Sequence, residues 1–423
     1  MSEQPEHDPD LTVATTPQPR PSEKRRAKRT QLQIFIAAWT GLTMLIGCGV
    51  FVAILWASGG LSLGPQDGGG VSTQTGGGDL FATPQPVVTL PPTPAEGLGG
   101  GADVEGLIPM DAFAFGGQEA HGGFAYAPYL ELAGMRWVKL QAFDTTVDFG
   151  PAIENAHNLG FRILVSVKDE ANKDRITDPA YREQLLAYME TLALQGADAI
   201  EVWNEPNIER EWPAGQISGA AYTELLAAAY TRIKAANPNT MVISGAPAPT
   251  GFFGGACTPD GCDDAPYIAQ MVAAGALNYM DCVGVHYNEG ILPPTAVSGD
   301  PRGNSEHYTR YYPRMVEAYV NAVGGQKPLC FTELGYLAGA DNPNLSVEAP
   351  AFAWASDVTR AEQAEWLVQA VQLAAADPNV RMVIVFNVGF KTEGEDPQKF
   401  YSIVTPDGSC PACDLMSTAL NLN

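Results

Sequence analysis

From residue 106 onward, short runs of β-branched and apolar residues alternate with Ala- and Leu-rich stretches of helical length. That alternation restricts the chain to a parallel sheet covered by helices. Eight runs qualify as strands: Asp111–Phe115, Arg136–Gln141, Arg162–Val167, Ala199–Trp203, Met241–Ser244, Cys282–His286, Leu329–Thr332 and Met382–Phe386. Helices are predicted between them over Pro179–Leu194, Gly219–Ala236, Tyr308–Val323 and Thr359–Ala376. Eight such units in about 315 residues fit an α/β (β/α)8 TIM barrel. The rival is a doubly wound open sheet, which calls for a Gly-rich turn after the first strand; Phe115-Gly116-Gly117-Gln118 matches that pattern poorly.

Ahead of the barrel the composition changes three times. Residues 1–30 are polar and hold the basic cluster Lys24-Arg25-Arg26-Ala27-Lys28-Arg29. Residues 31–57 carry no charged side chain, a length sufficient for a bilayer, which needs ~20 apolar residues. A buried core helix would show a polar stripe, and a secretory signal has a shorter apolar region, so an uncleaved transmembrane anchor is expected. Leu45-Ile46-Gly47-Cys48 resembles a lipoprotein cleavage box, but the apolar run continues through Trp56, beyond the Cys. The basic flank predicts a cytoplasmic N-terminus and an outward-facing C-terminal domain, residues 106–423. Residues 58–105, with Gly68-Gly69-Gly70 and Gly76-Gly77-Gly78, read as a Gly/Pro/Thr-rich linker. The glycines from Gly97 to Gly101 follow no strand and are no dinucleotide fingerprint.

The formal charge is -24, and residues 1–30 carry six basic against five acidic side chains, so the whole excess of acid lies beyond them. Such a field repels nucleic acid and favours a neutral substrate. Among the seven Cys, Cys257 with Cys262 and Cys410 with Cys413 are spaced to close small loop disulfides in an oxidising exterior. Cys410 and Cys413 also form a Cys-x-x-Cys, but without a second pair a metal reading is weak. Cys282 and Cys330, each in an apolar run, are expected to be buried free thiols.

Two apolar runs end on carboxylates: Ile200-Glu201-Val202-Trp203-Asn204-Glu205-Pro206-Asn207 and Leu329-Cys330-Phe331-Thr332-Glu333-Leu334-Gly335-Tyr336. Glu205 ends the fourth strand and Glu333 the seventh. In a barrel, strand ends at the C-terminal face carry the chemistry, and these two face each other across the mouth. Cleavage of a glycosidic bond with retention requires two carboxyls ~5–5.5 Å apart, one acid and one nucleophile.

Trp203-Asn204-Glu205-Pro206-Asn207 and Phe331-Thr332-Glu333-Leu334-Gly335-Tyr336 resemble glycoside hydrolase clan A, in particular its family 5 cellulases and family 39 β-xylosidases. The resemblance covers about residues 105–420. It implies a retaining hydrolase with Glu205 as acid/base, Glu333 as nucleophile and Asn204 on the sugar 2-hydroxyl. It further places a His and a Tyr near the end of the sixth strand. Here His286 and Tyr287 are adjacent, so alternation along the strand lets only one face the mouth, unless a bulge intervenes. Where relatives have an Arg on the second strand this chain has Lys139, which either keeps the nucleophile ionised or caps the barrel end. No Trp stands on the eighth strand; Phe386, Phe390, Trp354 or Trp212 either stacks on a sugar or is packing.

No cofactor is expected, since no metal, nucleotide or Ser-hydrolase motif occurs and the His residues form no ligand spacing. The partner expected is an oligo- or polysaccharide. Three readings stay open at this stage: a hydrolase of β-glycosidic bonds, a transglycosylase using the same two carboxylates, and a silent glycan-binding barrel.

Overall fold

A computed structural model describes residues 107–302 and 307–420. The basic tail, the expected anchor and the linker, residues 1–105, lie outside the described residues. Among the described residues, no helix is long and apolar enough to cross a membrane.

Among the described residues, eight strands and eight helices alternate in the barrel, while a two-stranded hairpin (Cys257–Thr258 with Gly261–Cys262) and a four-residue helix (Leu345–Glu348) lie in its loops. The strands are β1 (Ala114–Gln118), β2 (Trp137–Ala142), β3 (Arg162–Val167), β4 (Ala199–Val202), β5 (Met241–Ser244), β6 (Val283–Tyr287), β7 (Leu329–Leu334) and β8 (Val380–Val385). Each is followed by a helix: α1 (Ala127–Leu132), α2 (Gly150–Asn158), α3 (Pro179–Leu194), α4 (Gly219–Ala236), α5 (Asp264–Ala273), α6 (Tyr312–Ala322), α7 (Arg360–Ala376) and α8 (Pro411–Ala419).

All pairings in the main sheet are parallel, in the order β5-β4-β3-β2-β1-β8-β7-β6. The ends meet through the Ile243–Cys282 bridge, with Ser244 N–H donating to the Cys282 carbonyl at 3.1 Å. Gly284 permits this closure, because a Cβ there would run into the Ser244 carbonyl oxygen. The expected barrel therefore forms, closed through one narrow seam.

Both faces of the strands are covered. Ala114, Trp137, Leu164, Ala199, Ile243, Cys330 and Ile384 fill the interior, while Val138, Ile163, Ile200, Val242 and Phe331 pack outward against the helices. This double burial explains why the strands read as continuous apolar runs. Capping sets several helix starts: Asp178 accepts the Ala180 N–H ahead of α3, and Thr359 with Glu362 forms a capping box on α7.

Three expectations shift. Strand β1 lies later than Asp111–Phe115 and includes Gly116 and Gly117, where Trp137 of β2 leaves no room for a Cβ on Gly116. Helix α6 begins at Tyr312, since Pro313 fixes its first turn and Tyr308–Arg310 forms a separate 3-10 turn. Cys282 and Cys330 are not free thiols but a disulfide between β6 and β7, with Cα atoms 5.9 Å apart. Each run alone hides that its inward Cys faces a neighbour across the ladder. Cys257–Cys262 and Cys410–Cys413 are also bridged.

Candidate active site

The C-terminal strand ends open into a cavity of about 530 Å³ whose wall includes Asn204, Glu205, Asn288, Glu333, Trp354, Phe386 and Phe390. Glu333 enters it through an irregularity in β7. Val285 pairs with Phe331 but His286 pairs with Glu333, and on the other side Val383 and Val385 span Phe331 to Leu334. One extra residue is thus accommodated in β7. This bulge lets the consecutive side chains of Thr332 and Glu333 both face inward. Thr332 Oγ1 donates to Glu201 Oε1 at 2.7 Å, and Glu333 Oε1 accepts from Lys139 Nζ at 3.1 Å.

Glu205 is aimed by a turn with two left-handed residues, Trp203 at φ 73° and Glu205 at φ 41°. For residues other than glycine this conformation costs roughly 1–2 kcal/mol each, so the turn must be held from outside. It is held on several sides. The Trp203 indole N–H donates to the Glu211 carbonyl at 2.8 Å and its ring packs edge-on to Trp212. Glu205 N–H donates to the Ala246 carbonyl at 3.0 Å, and the Asn207 amide donates to the carbonyls of Ala248 and Cys262.

Between the two glutamates lies His286, fully buried. Its Nδ1 is 3.1 Å from Glu205 Oε1 and 3.8 Å from Glu333 Oε2. Facing two carboxylates, Nδ1 carries the proton and donates. The shared nitrogen keeps those oxygens no more than roughly 7 Å apart, a bound that admits the ~5–5.5 Å of a retaining pair. Asn288 Nδ2 donates to Glu333 Oε2 at 3.1 Å.

Cations counter each acid. Lys139, 0% exposed, sits between Glu333 and Glu201, the latter at 3.4 Å. Burial lowers the Lys139 pKa, but those two carboxylates outweigh it and the net shift is upward. Burial pushes Glu333 up, while His286 and Lys139 pull it below the usual carboxylate range. Burial likewise raises Glu205, yet the His286 hydrogen bond and the Arg210 charge bring it down to about 2. Arg210 pairs directly with Glu205 Oε2, although its own side chain is 59% exposed. His286 is raised by the same two glutamates against the burial that opposes its charge. A second buried set stands beside these: Lys168 Nζ and Asn204 Nδ2 both donate to Glu211 Oε1, at 2.7 and 3.1 Å.

Of the residues expected at the site, Glu205, Glu333, Asn204, His286 and Lys139 are brought together, and Trp354, Phe386 and Phe390 line the cavity. Tyr287 and Trp212 are not. Alternation turns Tyr287 outward, where its hydroxyl donates to the Arg310 carbonyl and its ring meets Tyr312 and Tyr336. Trp212 is packed between Trp203 and Tyr222, with its indole N–H donating to the Gln216 carbonyl. The sequence reading missed Asn288, Arg210, Lys168 and Glu211. Asn288 was within reach of it, lying two residues beyond His286 on the same face; the others depend on how the loop after β4 folds back.

No family model matches the chain, and no curated protein matches it. Solved structures of similar fold include a GH128 (subgroup II) endo-β-1,3-glucanase from Sorangium cellulosum, 18% identical, TM-score 0.47, with 73% of this chain and 98% of that one covered. A GH5-4 broad specificity endoglucanase from Clostridium longisporum is 13% identical, TM-score 0.46, over 74% and 98%. An endo-1,4-β-mannanase from Rhizomucor miehei is 12% identical, TM-score 0.44, over 73% and 94%. At these identities and scores no residue role carries across.

Proposed function

We propose that the chain is a membrane-anchored, outward-facing retaining glycosidase that cleaves β-glycosidic bonds by double displacement, with Glu205 as acid/base and Glu333 as nucleophile. The observation that carries this reading is the single buried His286 imidazole held between both carboxylates, which themselves line the cavity.

The chemistry follows from the charges. Glu333, kept ionised by Lys139 and oriented by Asn288, attacks the anomeric carbon. Glu205 protonates the departing glycosidic oxygen and later draws a proton from the water that releases the sugar. With His286 and Arg210 against it Glu205 is ionised, with a pKa of about 2. The His286 hydrogen bond and the Arg210 charge both favour the ionised form, and of the two groups Arg210 is the more exposed. Arg210 is anchored on an exposed loop, so an incoming sugar can displace it, and loss of that cation raises the Glu205 pKa. Once Glu333 is esterified its charge is gone, the repulsion on Glu205 falls, and Glu205 is returned toward the base form.

Assay of the full chain on a panel of aryl β-glycosides and β-glucans tests the proposal. Turnover that Glu205→Ala and Glu333→Ala each abolish supports it. The Arg210–Glu205 contact favours a second reading, a glycan-binding barrel whose acid is silenced; binding without turnover across the panel would establish that one.

The charge-free residues 31–57 and their basic flank support the anchored, outward-facing placement. Retention in the membrane fraction through an alkaline wash, with protease on intact cells removing the barrel, is the expected result.

A further inference from the structure

Three consecutive residues of the turn after β4 are held from one neighbouring pair. The Glu211 carbonyl accepts the Trp203 indole N–H at 2.8 Å, Glu211 Oε1 accepts from Asn204 Nδ2 at 3.1 Å, and the adjoining Arg210 pairs with Glu205. Trp203 and Glu205 are the two left-handed residues of that turn, so the contacts fall where the backbone most needs support. Glu211 is itself fixed from the sheet. Lys168 follows β3, its backbone N–H donates to the Ala142 carbonyl at 2.9 Å, and its Nζ donates to Glu211 Oε1 at 2.7 Å. Val167 pairs with Val202 across β3 and β4, which sets Lys168 beside the start of the turn. Displacement of Arg210 by a sugar leaves the holds on Trp203 and Asn204 in place.

Stability alone does not explain an ion pair here. Both side chains are buried, and Glu211 Oε2 has no hydrogen-bond partner among the described residues. Taking both charges out of water is costly, and an apolar pair of similar volume is often as stable. An apolar pair could not hold Asn204. A carboxylate only accepts, so Glu211 requires the Nδ2 end of the Asn204 amide to face it and fixes that side chain beside the acid/base. We propose that Glu211, locked by Lys168, is a positioning residue that holds the Trp203–Glu205 turn so that the Glu205 carboxyl meets the departing glycosidic oxygen. The inference rests on the glycosidase reading and assigns the pair to proton transfer rather than to nucleophilic attack. Glu333 takes its contacts elsewhere, from Lys139 and Asn288.

Full-length Lys168→Met with Glu211→Leu, an apolar pair in place of the charged one, tests it on two aryl β-glycosides of the sugar that the wild-type chain turns over. A dinitrophenolate leaves without a proton, whereas a phenolate needs one. A well-placed acid contributes ~10²–10⁴ where the leaving group needs that proton, so kcat/KM on the phenyl glycoside should fall roughly tenfold or more beyond any fall on the dinitrophenyl one. Glu211→Gln, which keeps an acceptor for Asn204, should recover most of that difference. Hydrogen exchange gives a readout that needs no turnover: amides of residues 203–212 should exchange faster in the double variant, and those of β3 and β7 should not. Equal losses on both glycosides, unchanged exchange in the turn, or a double variant that no longer folds would overturn the proposal. A wild-type chain that turns over no glycoside overturns the glycosidase reading instead, and exchange in the turn then decides whether Glu211 holds it.

Discussion

At the scale of single residues, Lys139, Arg210 and the His286 imidazole decide what the two glutamates can do. Lys139 is buried against Glu333 and Glu201. Lys139→Met takes from two buried carboxylates the cation they share, which should cost about 3–5 kcal/mol in chemical denaturation. It should also raise the Glu333 pKa. The proposed mechanism needs Glu333 ionised, so the acid limb of kcat/KM should move to higher pH. For Arg210→Gln the sign is opposite in consequence. Removing that cation lets the Glu205 pKa rise from about 2, the acid stays protonated to higher pH, and the alkaline limb of kcat/KM moves upward. A limb that stays put would contradict the role given to Arg210. His286 binds both acids, so no variant at this position separates them. Glu205 and Glu333 were legible because each closes an apolar run. Arg210, Lys168 and Glu211 were not, because their contacts depend on a loop whose path is set by two left-handed residues that no residue type announces.

At the scale of elements, strand existence was legible and strand register was not. Runs of β-branched residues mark β3 and β5 to the residue, since both faces of those strands are buried. The extra residue in β7 depends on what flanks it, Glu201 for Thr332 and Lys139 for Glu333, and these lie on strands distant in sequence. The same blindness hid the Cys282–Cys330 bridge, which joins β6 to β7 across 48 residues. Removing it by Cys282→Ala with Cys330→Ala should lower stability by about 2–5 kcal/mol, read from the denaturant midpoint. Because it ties together the strands carrying His286 and Glu333, kcat should fall as well in the surviving folded protein. An unchanged midpoint would show that β6 and β7 hold their register without it.

At the scale of the molecule, the barrel followed from eight alternating units, and its closure required one glycine, Gly284, at the β5–β6 seam. An acidic barrel with a mouth lined by aromatic rings suits an uncharged glycan better than a polyanion. Turnover on neutral glycans should therefore exceed turnover on uronate-rich or sulfated chains of the same length, with the difference shrinking as salt is raised. The substrate itself was not legible, because sugar identity is decided by loops after β1, β2, β7 and β8 rather than by the two carboxylates. The central claim is the division of labour between those carboxylates. Its most direct test is Glu333→Ala incubated with an activated aryl β-glycoside and sodium azide. Azide should restore turnover and yield the α-glycosyl azide, since the anion enters the face that Glu333 has vacated. A β-glycosyl azide would reverse the two roles, and full activity without azide would remove Glu333 from the reaction.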